Sequence, residues 1–85
     1  MSIDNIQNLQ LYGSYYHTKT NNLYIVTNFC KVKDEITREW KDGVEYTSVF
    51  PDKNGQKPTY VRTIKDFVAN FKNAWIIFVH NQGLS

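Results

Sequence analysis

Cysteine is nearly missing from this chain. Cys30 stands alone, so no internal disulfide can form and a reducing, cytoplasmic compartment is expected. Glycine is sparse: four residues, scattered singly, which excludes a glycine-rich phosphate-binding loop. The two prolines, Pro51 and Pro58, bracket one loop rather than a domain boundary. With no repeat and no low-complexity stretch, the 85 residues read as one domain. Long apolar runs are missing too. "AWIIFV", Ala74 to Val79, falls far short of the roughly 20 residues a membrane span needs. The start, "MSIDNIQNLQLYG", has no basic segment followed by an apolar one, so no signal peptide and no membrane association are expected. Two histidines and one cysteine do not supply a zinc site of the usual spacing, and no metal or cofactor is expected.

What is present is aromatic and mildly basic. Aromatic residues make up 15% of the chain, the mark of a small core filled by few large side chains. The net charge of +2 permits a nucleic-acid partner without requiring one.

Residues 1–10 carry Ile3, Ile6 and Leu9 at near-helical spacing, either a short helical turn or a frayed tail. Tyr15 to Lys19 reads as extended, and Asn21-Asn22 as a turn, because asparagine tolerates left-handed backbone angles. Leu23 to Phe29 is a strand by its β-branched and aromatic content. Strict alternation puts Leu23, Ile25, Thr27 and Phe29 on one face and Tyr24, Val26, Asn28 and Cys30 on the other. Asp42-Gly43 is a tight-turn signal and predicts a second hairpin between "ITREW" and "VEYTSVF". Val44, Tyr46, Ser48 and Phe50 share one face of the latter. "PDKNGQKP" forms a third turn with Asn54-Gly55 at its tip, and "TYVRT" returns with Tyr60 and Arg62 on one face. Thr63 and Asp66 form a helix-capping pair, and Ile64, Phe67, Val68 and Phe71 follow a helical stripe, so a helix is predicted from Ile64 to about Asn73. "AWIIFVH" is either a last strand or a continued helix. The expected class is α+β, mostly β: a small curled antiparallel sheet of about five strands, SH3-like or a partial barrel, with one late helix.

"GSYYHTKTNNLYIV", "VEYTSV" and "YVRTIKDF" together resemble a small bacterial and phage family of unknown function. Its pattern runs G-x-Y-x-H-x-K, Y-x-V, V-Y and W-V-R-P-x-x-x-F. The corresponding positions are Gly13, Tyr15, His17, Lys19, Tyr24, Val26, Glu45-Tyr46, Tyr60, Val61, Arg62 and Phe67, with Tyr60 at the tryptophan position and Thr63 at the proline position. The chain is also similar in type to the small early proteins of tailed phages. That similarity implies a protein that binds and disables a component of the host, for example a defence or toxin component.

The residues themselves argue against catalysis. Cys30 as nucleophile with His17 or His80 as base has no supporting local signature, and a free cysteine in a strand pattern behaves as a small hydrophobe. No catalytic residue is assigned. Tyr15, His17 and Lys19 share one strand face, either an ordinary polar exterior or a phosphate and base contact with Tyr15 as stacking platform. Arg62 is either a staple against Tyr60 or a carboxylate, or a bidentate phosphate ligand. Lys31 and Lys33 lie with Arg38, Lys41 and Trp40 in a stretch that suits single-stranded RNA, yet Asp34, Glu35 and Glu39 dilute the positive field. Trp40 and Trp75, where exposed, are natural anchors for a protein partner. The leading expectation is a non-catalytic binding protein acting on a host protein, with RNA a further component of the complex. The alternatives are a direct RNA-binding module using Tyr15, His17, Lys19, Lys31, Lys33 and Arg62, and a nucleotide-sequestering protein. Unpaired edge strands, or "AWIIFV", also offer a route to a homo-oligomer.

Overall fold

The computed structural model describes residues 9–74. Strands β1 (Ser14–His17), β2 (Leu23–Lys33), β3 (Trp40–Ser48) and β4 (Thr59–Thr63) form an antiparallel meander. Helix α1 (Ile64–Asn70) follows β4 directly, and β5 (Phe71–Asn73) returns to pair with β1. The strand order is β4-β3-β2-β1-β5. In a flat sheet the two edges would stand about 19 Å apart, four spacings of about 4.8 Å. A helix of seven residues rises only about 10 Å. The sheet must therefore curl so that α1 can carry the chain from one edge to the other. It does not close into a barrel, because β4 and β5 each have one strand neighbour among the described residues. The expected class, a curled five-stranded sheet with one late helix, is the one observed.

The turns follow local chemistry. Asn21 takes φ 61° and its N–H donates to the His17 carbonyl, which closes the first hairpin. Asp52 organises the β3–β4 loop: Oδ1 accepts from the backbone N–H groups of Asn54 and Gln56, and Gly55 takes φ 77°. Thr63 caps α1 by accepting the Asp66 N–H at 3.1 Å. The helix is shorter than its stripe suggests. It ends at Asn70, whose side-chain amide donates to the Asp66 carbonyl, and Phe71 is already extended. The last strand among the described residues is thus "FKN". The segment "IIFVH" and Trp75, like the amino-terminal residues 1–8, lie outside the described residues.

The core forms between the inner face of the curl and α1. Tyr15, Val26, Val44, Tyr46, Phe67 and Phe71 are buried together, with Leu9, Tyr24, Ile64 and Val68 packed against them. Tyr46 sits opposite Tyr60 and Val44 opposite Arg62, so the shared faces expected for Val44, Tyr46 and Ser48 and for Tyr60 and Arg62 hold, while Phe50 falls beyond the end of β3. Two features depart from strict reading. The β2–β3 register slips between Val26 and Asn28, leaving Thr27 as the extra residue of a bulge. Its hydroxyl donates to the Glu45 carbonyl at 3.3 Å. Past the bulge the alternation inverts, and Phe29, Lys31 and Lys33 join the face of Val26.

The second departure is Asp42-Gly43, which is no turn. Both residues lie inside β3, paired with Lys31 and Cys30. The turn falls at Asp34–Thr37 instead, with Arg38 at φ 66°. Gly43 is required sterically: an added Cβ would stand 2.5 Å from Val32 Cγ2, 3.1 Å from the Arg62 carbonyl oxygen and 3.2 Å from Cys30 Sγ. Gly43→Ala is expected to destabilise the fold by about 1–3 kcal/mol through overpacking. The double variant with Val32→Ala should lose clearly less than the two single losses combined, because the clash is shared. Urea unfolding checks this, and strict additivity would show that Val32 is not the obstacle.

Candidate functional site

The β2–β3 hairpin outgrows the sheet. β1 pairs only with Leu23–Ile25 and β4 only with Gly43–Thr47. Beyond those positions, Lys31 to Lys33 and Trp40 to Asp42 have only each other as strand neighbours among the described residues, and they project as a two-stranded arm, with Asn28 to Cys30 at its base opposite Gly43 to Glu45. On one face of the arm lie Phe29, Lys31 and Lys33, opposite Val44, Asp42 and Trp40 respectively. Trp40 is 64% exposed, and Ile36, in the turn at the tip, is 93% exposed.

The tip is held by one carboxylate. Asp34 Oδ1 accepts the N–H groups of Ile36 at 2.8 Å and Thr37 at 3.1 Å, while Oδ2 pairs with Lys41 Nζ at 3.1 Å. The Thr37 N–H, then the Lys41 ammonium and the Ile36 N–H, hold its carboxyl down at about 2. Its pKa is depressed by folding, so the tip contacts are fully in place above the ordinary aspartate value of about 3.9. They are lost as pH falls through about 2. An NMR titration of the Asp34 carboxyl carbon is expected to show a midpoint near 2, with the Ile36 and Thr37 amide signals moving in step. A midpoint near 3.9 would mean that the carboxylate does not organise the tip.

The arm is electrically balanced, with four basic and four acidic residues between Lys31 and Asp42. Most are matched locally. Lys31 pairs with Asp42 across the strands, Lys41 with Asp34, and the Lys33 ammonium lies 5.8 Å from the centre of the Trp40 ring. The apolar side chains are thus displayed without a strong field of either sign.

The other predicted site residues disperse. Tyr15 is buried at 2% exposure, so its ring belongs to the core and cannot be a stacking platform. Its hydroxyl accepts the Gln10 N–H at 2.9 Å. His17 is half-buried, edge-on to Phe71 at 4.9 Å, and its Nδ1 accepts the Lys19 N–H. Lys19 itself lies past the end of β1, in the exposed turn. The three do not form one outward strand face.

Arg62 is committed within the fold. Its Nε donates to the Tyr46 hydroxyl at 2.7 Å, an Nη donates to Asp66 at 2.8 Å, and the guanidinium lies 5.3 Å from the centre of Phe71. Burial raises the Tyr46 pKa against the opposing effect of the Arg62 contact. Burial, and to a lesser degree the Glu45 carboxylate, push the Cys30 thiol up, away from a reactive thiolate.

Sequence reasoning singled out Trp40, which is exposed, and passed over Phe29 and Ile36, which are exposed as well. Ile36 had a signal, a lone apolar residue in the charged run "KDEITREW". Phe29 had none, because the bulge decides its face. Among the described residues no group of three His, Cys, Asp or Glu is placed to hold a metal, and no helix is long and apolar enough to cross a membrane. Comparison with protein-family models, curated protein sequences and solved structures returns no match.

Proposed function

We propose that this chain is a non-catalytic binding protein that docks the Trp40 face and the Ile36 tip of its β2–β3 arm on a partner protein. The partner is a host protein in the cytoplasm, neutralised by the contact, as the resemblance to phage early proteins implies. The observation that carries the reading is the projecting arm, which displays Trp40, Ile36 and Phe29 to solvent while its charges sum to zero and four of the eight are paired within it. Tryptophan leads among residues that dominate interface energy.

Direct binding of RNA draws less support. Of the six residues expected to contact it, Tyr15 is buried and Arg62 is engaged by Tyr46 and Asp66. Lys31 is engaged by Asp42 and Lys33 by Trp40. The test is capture of partners from host lysate, with and without nuclease, by the parent chain and by an arm variant, Trp40→Ala with Ile36→Ser. A protein retained after nuclease by the parent and lost by the variant is the expected result. Retention that disappears with nuclease would replace this reading with the RNA one. Equal retention by parent and variant would remove the arm from it.

A further inference from the structure

At the end of the β2–β3 hairpin away from the arm tip, a cleft of about 380 Å³ opens between the first turn, the start of β2 and the β3–β4 loop. Tyr24, Phe50 and Tyr60 line it, and Pro51 and Pro58 stiffen its wall. Phe50 is 67% and Tyr60 43% exposed. The tyrosines are held from behind: Tyr60 stacks on Tyr46 at 5.5 Å, and Tyr24 meets Tyr60 edge-on at 6.1 Å. Asp52 is the one charged residue of the lining, with Lys53 and Lys57 in the same loop outside it, so what the cleft offers a cation is this single carboxylate beside the rings. Asn21, Asn22 and Ser48 add polar groups at its margin.

We propose that this cleft binds an arginine side chain presented by a polypeptide partner, its guanidinium set against the aromatic rings with an edge toward Asp52. Aromatic faces attract cations, and the carboxylate supplies the matching charge. Guanidinium fits the remaining chemistry best. It is planar, stacks on rings, is weakly hydrated and carries five N–H donors. Asp52 together with the side-chain oxygens of Asn21, Asn22 and Ser48 offers acceptors for them. A quaternary ammonium has no N–H to give, and a lysine ammonium is more costly to dehydrate. The cleft and the arm tip occupy opposite ends of one hairpin, about 30 Å apart at about 3.3 Å per residue, so this inference does not rest on the arm.

The experiment is an NMR titration of the intact chain with N-acetyl-arginine-methylamide, following the ring signals of Tyr24, Phe50 and Tyr60. Saturable shifts at these rings are expected, with none from the citrulline analogue, which has nearly the same shape and no charge. Asp52→Asn is expected to weaken binding at least about 5-fold. That variant keeps a side-chain oxygen for the Asn54 and Gln56 N–H groups, so an unchanged melting curve shows that the loop survives. The proposal is overturned if the arginine probe gives no saturable shift at these rings, or if the citrulline analogue binds equally well. It is also overturned if Asp52→Asn binds like the parent, or if tetramethylammonium binds more tightly than the arginine probe.

Discussion

Phe67→Ala is expected to lower the melting temperature by about 15–30 °C, or to leave the chain largely unfolded at 37 °C. Phe67 is fully buried and joins the elements that close the fold. Its ring stacks on Phe71 of β5 at 4.0 Å with the planes 6° apart. It meets Tyr15 of β1 at 5.5 Å and Tyr46 of β3 at 5.2 Å, both edge-on. Truncating such a phenylalanine removes its transfer free energy and leaves a cavity, about 3–5 kcal/mol in all. A domain of this size has about 4–13 kcal/mol of total stability. Its small aromatic core has few other side chains able to collapse into the gap. Phe67→Leu keeps most of the volume and should retain the fold with a smaller loss. Thermal melts followed by circular dichroism separate the outcomes. An alanine variant melting within about 5 °C of the parent would mean that Phe67 is not central to the core.

Trp40→Ala is expected to behave in the opposite way. The melting temperature should stay within about 3 °C, because the residue is mostly exposed at the start of β3 and its chief described partner is the Lys33 ammonium. Partner binding should fall by about 30- to 1,000-fold, the range of a tryptophan hot spot worth about 2–4 kcal/mol. Val61→Ala is the control, an exposed apolar residue on edge strand β4, away from the arm. Binding of both variants to the captured partner is measured by titration calorimetry or surface plasmon resonance. A loss at Val61 as large as that at Trp40 would move the interface to the sheet edge.

Much of the scaffold was legible because it rests on local chemistry. The Thr63–Asp66 cap, the Asn21 turn and the Asn54-Gly55 loop tip each depend on a few adjacent residues, and each formed where its signal stood. Which residues of β3 and of β4 share a face followed from simple alternation. What escaped depends on distant partners. Asp-Gly reads as a turn because both residues accept unusual backbone angles. The need for glycine at position 43 comes instead from Val32 and Cys30 on the neighbouring strand. The bulge at Thr27 leaves no mark in composition, yet it decides which face Phe29, Lys31 and Lys33 present. Tyr15 was offered as a surface ring because its strand also carries His17 and Lys19. Its burial is imposed by Phe67, more than fifty positions along the chain. The cleft escaped for the same reason, since Tyr24, Phe50 and Tyr60 meet only once three segments have folded together.

The pairing of β1 with β5 also has a mechanical consequence. The strands run antiparallel, and the Ala74 N–H donates to the Ser14 carbonyl at 2.9 Å, so the outer ends of both strands lie side by side. A force pulling on these two ends acts across the ladder and opens it one hydrogen bond at a time, like a zipper, rather than shearing the bonds all at once. The early bonds to give way sit beside Tyr15, with Phe71 farther along the ladder, so peeling this seam uncovers the aromatic core while the longer β2–β3 ladder is still intact.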